Sequence, residues 1–452
     1  MSVDAAGLGA LCLVAGEFLA LGWLSGISFP PSAHAHVATW AARLLVGALL
    51  VGAAQLLLAT FGLGFRFIPV VLAVAAGAAI AIRLVHHSTS STSCPVDAEP
   101  GVSHATPFNP TRERLGWLLL GALVLAALVR SILVPESGWD AYSHWGLRAQ
   151  AFATAGMLVD AHSEHEYYPP LVPLLEAWLY LHRGQVAIDL GKTIWALIGS
   201  AFGISLAWHL RTSLRPAAAW LAPYLAVGIV LATPELLDGF WTGQADLALT
   251  AYLTLATLAV WQSQRTSDRR FLVQAAIFGA AVALTKFEGL PRLGLVGLAL
   301  LIEAAWGRQL VRAWPPVLSL IGPALAAWLV WTAFQLSHAI PANAEHVGGL
   351  QLLALGGVLA ALLGVFGGVR TGGGVLVAAA GWVVAAGKLL KPPMRTLVLV
   401  ATLQALGTVV AFLLSSTAPE VEVRTSATRL VEQFLPVALF VAALGLVRTG
   451  HL

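Results

Sequence analysis

The feature that most constrains this chain is a series of apolar runs, each long enough to cross a membrane as a helix. The runs lie at 5–27, 40–60, 66–84, 116–134, 189–209, 216–233, 246–262, 271–286, 290–306, 315–336, 396–416 and 431–448. A helix needs about 20 apolar residues to span the hydrocarbon layer of a bilayer. Only 10% of the residues are charged and 58% are hydrophobic, whereas soluble domains carry about 25% charged residues. The sequence therefore predicts an all-α polytopic membrane protein.

The glycine-rich stretch 349–390 holds one or two further runs, which predicts a bundle of roughly 13 transmembrane helices. Because no basic segment precedes the first run, we interpret it as a spanning helix and not as a signal peptide. The two cysteines provide neither a disulfide framework nor a metal-binding spacing.

A polar linker rich in Ser, Thr, Pro and His suggests four regions. These are N-terminal transmembrane helices at 1–85, a flexible cytoplasmic linker at 86–115, a membrane core at 116–306 and C-terminal transmembrane helices at 307–452.

The positions of lysine and arginine predict the orientation of the helices in the membrane. Basic residues cluster at 112–114, 211–215, 265–270, 308–312, 391–395 and 448. The positive-inside rule places all of these clusters in the cytoplasm if the short apolar segment 169–181 lies at the outer interface and does not span. The outer side then receives the polar segments 135–170, 234–246, 285–292 and 415–429. This orientation predicts that the polar chemistry of the protein lies on the outer face of a cell membrane.

The first outer segment predicts an amphipathic helix lying at the interface. Residues 140–157 have helical spacing, with Trp145 and Phe152 expected to face the membrane and Arg148 expected to face water. Asp140 begins this helix, where a carboxylate also serves as a simple N-cap. Against that simpler interpretation, Trp139 and His144 flank Asp140 at the depth of a lipid headgroup.

The other outer segments supply charged residues that border apolar runs. Asp246 opens the run at 246–262, and Asp238 precedes it. A carboxylate inside hydrocarbon costs roughly 2.5–3.5 kcal/mol, so it is usually kept for a function, although Asp246 could also be an interfacial N-cap. Lys286 and Glu288 are predicted either to neutralise each other or Asp246, or to form a phosphate-binding and acid-binding pair.

Arg429 opens the last apolar run and stands on the outer side, against the positive-inside trend. A guanidinium suits two phosphate oxygens, and the simpler alternative is a salt bridge to Glu420 or Glu422. The segment HSEHE, residues 162–166, contains imidazole and carboxylate ligands, but its spacing matches no metal motif. A divalent metal is compatible with this segment but is not predicted, and no cofactor is required.

In order along the chain, these segments resemble bacterial membrane glycosyltransferases of the C-type (GT-C) fold. The similarity is to family-39-like enzymes, which include protein O-mannosyltransferases and aminoarabinose transferases. It is carried by GWDAYSHWGLRAQAF, YYPPLVPLLEAWLY, TPELLDGFWTGQADLALTAYL, LTKFEGL and RTSATRLVEQFLP. It covers 116–306 well and 415–448 more weakly, and it implies a GT-C-like bundle with juxtamembrane helices in the first outer loop.

The resemblance also implies roles for individual residues. Asp140 in GWDAY matches the family's catalytic base, and Asp246 matches the second acidic residue better than Asp238 does. Tyr168 begins the YPPL stretch that leads into a juxtamembrane helix. The family's phosphate-binding cation corresponds to Lys286 or Arg429. Trp139, His144, Arg148 and Glu288 complete the expected substrate-binding set.

One departure from the family concerns the first-loop motif, because many relatives carry an acidic pair there whereas Ala141 follows Asp140. The base and the group that orients it must then come from different loops. The implied reaction is inverting transfer of a sugar from a polyprenyl-phosphate donor to the hydroxyl of a glycan, lipid or protein acceptor. Nucleic acid is not an expected partner.

The main alternative is a transporter or flippase for a lipid-linked or small solute. Transporters usually show repeated halves and polar groups near the midplane, whereas here the acidic residues gather in outer loops. A polysaccharide polymerase or ligase and a purely structural membrane subunit are further alternatives.

Overall fold

The structure is a computed structural model, and it describes residues 5–24, 35–68, 110–135, 138–161, 163, 165–340, 350–367, 369–416 and 418–449. Most of the predicted helix at 66–84 and of the predicted linker at 86–115 lies outside the described residues, as do His162 and Glu164. The predicted division into four regions therefore stays a prediction.

The described residues form a bundle of helices that we number in chain order. The helices are α1 Ala5–Leu24, α2 Ala35–Thr60, α3 Pro110–Leu133, α4 Leu147–Ala155, α5 Leu171–Arg183, α6 Thr193–Ser213, α7 Ala222–Leu231, α8 Pro234–Thr242, α9 Ala245–Thr266, α10 Arg270–Thr285, α11 Gly289–Trp306, α12 Leu310–Ser337, α13 Leu355–Phe366, α14 Val369–Leu389, α15 Met394–Leu413, α16 Pro419–Glu432 and α17 Leu435–Thr449. A π-helical segment, Ala141–Gly146, leads directly into α4.

Eight helices among the described residues are long and apolar enough to cross a membrane, or up to 10 if each of two bent helix pairs is one span. This confirms a polytopic all-α fold, while the predicted total of roughly 13 spans stays a prediction. The glycine-rich stretch contributes one span, at Gly372–Leu389, and the shorter apolar helix α13.

The predicted basic loops meet at one end of the bundle. Arg211 Nε donates to Glu113 Oε1 at 2.7 Å, and Lys388 donates to the carbonyl of Arg448. At the opposite end, the backbone N–H of Phe65 donates to the carbonyl of Gly156 at 2.6 Å. The basic clusters and the first polar loop thus lie at opposite ends of the bundle, as the charge pattern predicts.

Two helical pairs are sharply bent near the polar end. The pair Pro216–Leu231 and Pro234–Thr242 bends by 80°, and the pair Pro419–Glu432 and Leu435–Thr449 bends by 50°. Glu432 joins the two bends, because its Oε2 accepts the N–H of Glu235 at 2.7 Å and of Leu236 at 3.2 Å. These N–H groups belong to the first turn of α8, where helical donors lack intrahelical partners.

The first polar loop differs from the interfacial helix that the sequence predicts. Arg148 is buried and does not face water, and Trp145 and Phe152 are buried within the protein. The physical reason is that residues 165–168 fold back over this helix, so that the rings of His144 and His165 lie 4.3 Å apart. Amphipathic spacing reports which residues share a face but not what covers that face.

Helix α5 is also buried, and it packs against the N-terminal helices. Glu17 on α1 accepts hydrogen bonds from Trp178 Nε1 at 2.8 Å and pairs with His182 Nε2 at 2.9 Å. Tyr252 on α9 donates to the carbonyl of Leu45 on α2 at 3.1 Å. The first two helices are therefore packed into the same bundle as the predicted core.

The close packing of α11 against α10 supports a stability prediction. A Cβ on Gly289 would lie 2.3 Å from the carbonyl oxygen of Val282, whereas a Cβ on Gly294 in the same helix meets nothing within 4 Å. We expect Gly289→Ala to lower stability by about 1–3 kcal/mol because the backbone must shift. The control Gly294→Ala should leave stability unchanged or raise it. Thermal unfolding in detergent measures both, and equal melting temperatures would contradict the packing.

Candidate functional site

Four charged or polar side chains converge where α9 begins and where α10 turns into α11. Lys286 Nζ lies 3.1 Å from Asp246 Oδ1 and 2.9 Å from Glu288 Oε1. Gln433 Nε2 donates to the same Asp246 oxygen at 2.7 Å. The Lys286 side chain is only 9% exposed, so its charge is compensated by two carboxylates within a largely dehydrated environment.

A second ion pair joins the first polar loop to the end of α16. Arg429 Nη1 donates to Asp140 Oδ2, and both side chains are about one-third exposed, at 31% and 30%. Asp140 and Arg429 are far apart in the sequence, but Arg429 lies one helical turn before Gln433 and close enough to Asp246 to interact with it electrostatically. The predicted residues Asp140, Asp246, Lys286, Glu288 and Arg429 thus form one connected site.

Tyr168 borders this site, as the YPPL motif predicts. Lys286 Nζ lies 5.6 Å from the centre of its ring, within the range of a cation–π interaction. Burial and the negative charge of Glu288 hold the pKa of the Tyr168 phenol well above its ordinary value. Burial alone would lower the pKa of Lys286, but the carboxylates of Asp246 and Glu288 more than offset it and raise that pKa. Both side chains therefore keep their protons at neutral pH.

Four other predicted residues lie outside the connected set. Trp139 is 66% exposed and packs edge-on against Tyr142 at 5.3 Å. Asp238 lies on α8, close enough to Glu432 to influence it electrostatically. His144 and Arg148 are buried beside the folded-back segment at 165–168. Burial, partly offset by Glu166, lowers the pKa of Arg148 to about 10.

The structure adds residues that the sequence reasoning missed. Gln433 is fully buried and contacts the central carboxylates. Arg292 Nη1 donates to Gln404 Oε1 at 3.0 Å, and its Nη2 donates to the carbonyl of Leu430 at 2.8 Å, which anchors the end of α16. The sequence signal for both residues is a polar side chain inside or beside an apolar run. Such a side chain is costly in a membrane unless it is paired.

Metal binding finds no support among the residues that the structure describes. In that part of the chain, no group of three or more His, Cys, Asp or Glu side chains is arranged to hold a metal ion. His162 and Glu164 of the HSEHE segment lie outside the described residues. Lys286 instead occupies the position between the carboxylates of Asp246 and Glu288.

An apolar groove adjoins the site at the α16–α17 bend. Its volume is about 390 Å³. The lining residues come from α13 to α17 and are Leu362, Phe366, Val375, Ala378, Ala379, Trp382, Ala401, Thr402, Ala405, Thr408, Val409, Val431, Phe434, Leu435 and Ala438. Val431 and Phe434 flank Glu432 and the site residue Gln433 in the sequence. The groove therefore begins where the polar site ends.

The fold is similar to that of ArnT from Cupriavidus metallidurans. The structure of that protein bound to undecaprenyl phosphate matches with a TM-score of 0.50 and 18% identity, over 72% of this chain and 60% of that chain. Its apo structure gives a TM-score of 0.49 and 16% identity, over 74% and 60% of the two chains. This chain thus spans about 60% of the length of ArnT.

At the sequence level, no protein-family profile matches the chain and no curated protein matches it. The identity to ArnT is low, so the structural likeness is evidence for the fold. It confirms the predicted polytopic helical membrane fold, which is similar to that of ArnT.

The compensated charge of Lys286 supports a second stability prediction. We expect Lys286→Met to destabilise the protein by about 3–5 kcal/mol, because the buried Asp246 and the partly buried Glu288 lose their shared counter-ion. The matched control Lys391→Met removes an exposed lysine from the basic face and should have little effect. Thermal unfolding in detergent gives the comparison, and equal effects of the two variants would contradict the buried pair.

The raised pKa of Lys286 also predicts how the effect of Lys286→Met on stability depends on pH. The folded-state pKa of Lys286 is raised, so its stabilisation is complete below the unfolded-state value of about 10.4 and is lost as pH rises through the folded-state value. The difference in melting temperature between wild type and Lys286→Met should therefore stay constant between about pH 7 and pH 9 and shrink only above about pH 10.4. A difference that shrinks between pH 7 and 9 would contradict the sign of this shift.

Proposed function

We propose that this protein is an inverting glycosyltransferase that moves a sugar from a polyprenyl-phosphate donor to an acceptor hydroxyl. The observation that carries the proposal is the contact between Asp140 and Arg429 beside an apolar groove. A carboxylate suited to accept a proton and a cation suited to bind phosphate lie next to each other, at one end of membrane-spanning helices. The undecaprenyl phosphate bound to the similar ArnT structure supports a polyprenyl-phosphate partner.

Arg429 is the better candidate for the phosphate-binding cation. Lys286 is 9% exposed and is already paired with Asp246 and Glu288. The Arg429 side chain is 31% exposed and, among the described residues, forms an ion pair with Asp140 alone. A guanidinium can also bind two phosphate oxygens at once, which an ammonium does less well. In this proposal Lys286 organises the carboxylates and Arg429 meets the donor.

The apolar groove suits the prenyl tail of the donor. Its wall includes Val431 and Phe434, which are close in sequence to Arg429, and its lining is almost entirely apolar. A lipid that places its phosphate at Arg429 can therefore extend its tail along α14, α15 and α17 toward the membrane. Transfer of apolar chain from water into such a groove stabilises binding by about 0.8 kcal/mol per buried CH₂ group.

The reaction follows from the positions of these groups. Asp140 accepts the proton of the acceptor hydroxyl while that oxygen attacks the anomeric carbon of the sugar. The bond between the anomeric carbon and the phosphate oxygen breaks, and polyprenyl phosphate leaves with the electron pair. Arg429 stabilises the negative charge that grows on the leaving phosphate. Attack from the face opposite the phosphate inverts the anomeric configuration, and the scheme uses no metal.

The basic end of the bundle supports a cytoplasmic location for that end, and the proposed site at the opposite end then faces the outside of an inner or plasma membrane. The two broken helices are a feature that transporters share. However, Asp246 lies in the first turn of α9 and Lys286 lies between helices, so the charges are at helix ends and not at mid-helix. This arrangement favours transfer at a membrane surface.

We expect Asp140→Asn to lower kcat by about 10²–10⁴-fold, because the amide cannot accept the acceptor's proton. The assay incubates purified protein with undecaprenyl-phosphate-linked hexoses or pentoses and a lipid and glycan extract, and measures release of undecaprenyl phosphate by mass spectrometry. Asp268→Asn, on the basic face, is the matched control. Unchanged turnover in Asp140→Asn with normal folding would rule out this residue as the base.

We expect Arg429→Gln to weaken binding of undecaprenyl phosphate at least about tenfold, because one charge-assisted hydrogen bond contributes about 1.5–3 kcal/mol. Arg424→Gln removes an exposed arginine from the same helix and should change affinity much less. Binding to purified protein in detergent measures both variants. Equal losses would mean that the phosphate responds to the general charge of α16 and not to Arg429.

A further inference from the structure

Gln433 lies in the break between α16 and α17 with its side chain fully buried. Its Nε2 donates to Asp246 Oδ1 at 2.7 Å and lies 3.4 Å from Glu288 Oε1. Ionised carboxylates only accept hydrogen bonds, so the amide nitrogen and not the amide oxygen must face them. The orientation of this glutamine is therefore determined by its neighbours.

That orientation leaves the amide oxygen of Gln433 buried, and no donor among the described residues reaches it. A buried acceptor without a partner lowers stability, and an apolar side chain of similar size would avoid the cost. The favourable contribution of Gln433 at this position is therefore the hydrogen bonding of its amide N–H groups to the carboxylates. A local cost of this kind is typical of functional sites.

The two donors that hold Asp246 use the same oxygen atom. Lys286 Nζ and Gln433 Nε2 both contact Oδ1, at 3.1 Å and 2.7 Å. In the described part of the chain, no donor contacts Oδ2 of Asp246, and 10% of the side chain remains exposed. The carboxylate is held firmly through one oxygen while the other is left able to accept a hydrogen bond.

We propose that Gln433 is a positioning residue that, together with Lys286, holds Asp246 through Oδ1 and so presents Oδ2 to a hydroxyl or amino group of the bound sugar. The inference rests on the proposed function, because it assigns a sugar-recognising atom within that site. Arg429 then binds the phosphate and Asp246 binds the sugar. Affinity for the lipid phosphate and recognition of the sugar are therefore separable.

The first test is Gln433→Glu, which preserves size and shape. When the introduced carboxyl is protonated it donates a hydrogen bond as the amide does. When it ionises it cannot donate, and it adds a third negative charge beside Asp246 and Glu288. We expect the ratio of variant to wild-type kcat to rise at least about tenfold as pH falls from about 9 to about 6, while affinity for undecaprenyl phosphate changes less than about threefold.

Taking the ratio removes the titration of Asp140, which both proteins share. The matched control is Gln309→Glu, an exposed glutamine in the loop before α12, which should give a flat ratio. A flat ratio for Gln433→Glu as well would overturn the positioning role. A uniform loss of activity at every pH, with a lowered melting temperature, would show a merely structural role and would overturn it too.

The second test is Asp246→Asn, which keeps a carbonyl oxygen for Lys286 and Gln433 and places an NH₂ group where Oδ2 stood. The affinity for an undecaprenyl-phosphate-linked hexose that wild type binds should fall at least about tenfold. The affinity for undecaprenyl phosphate alone should change less than about threefold. Equal changes for the two ligands would overturn the assignment of Oδ2 to the sugar.

A third measurement uses no substrate and separates the proposed sugar transfer from the positioning role of Gln433. Thermal unfolding of Gln433→Met, Asp246→Leu and the double variant forms a double-mutant cycle in which each single change removes the contact, and a positioning contact predicts non-additive effects. Additive effects would overturn the contact. If wild type transfers no sugar from any hexose or pentose donor, the proposed function fails, while this cycle still decides whether Gln433 positions Asp246.

Discussion

The structure depends on one constraint, which is that a charge in apolar surroundings must be paired. The ammonium of Lys286 lies 3.1 Å from Asp246 and 2.9 Å from Glu288. Removing Lys286 would leave two carboxylates without their shared counter-ion, and breaking a buried ion pair in this way is strongly destabilising. The pairing joins the start of α9 to the turn between α10 and α11, and Gln433 extends it to the α16–α17 bend. One electrostatic cluster thereby ties together helices that are distant in sequence.

The two helix breaks supply the geometry that the cluster needs. The break between α16 and α17 lies at Gln433, which contacts Asp246, and one turn after Arg429, which contacts Asp140. Glu432 stabilises this bend by accepting two N–H groups from the first turn of α8. A break in a helix leaves backbone donors and acceptors without intrahelical partners. A membrane protein tolerates such a break only where other groups bind them. The α16–α17 break therefore carries Glu432, which satisfies backbone N–H groups of α8, next to the site residue Gln433.

Much of the site was predictable because charge is rare in this chain. With 10% charged residues, each carboxylate or cation that borders an apolar run stands out, which predicts Asp246, Lys286, Glu288 and Arg429. Asp140 is predicted from its aromatic neighbours and from the family resemblance. Gln433 was not predicted because a neutral amide at the edge of an apolar run is a weaker signal than a charge. The interpretation of Arg148 as water-facing was wrong because periodicity says nothing about a later segment that covers the helix.

The sequence by itself determined the environment of the protein, its helical class and the end of the bundle at which its polar residues gather. These properties follow from the length of apolar runs and from the distribution of basic residues, both of which are local. Only the tertiary structure decided which charges pair. Arg429 contacts Asp140 and not the neighbouring Glu420 or Glu422 that its sequence position suggested. Partner choice depends on helix bends and packing between distant segments, and no local pattern encodes those distances.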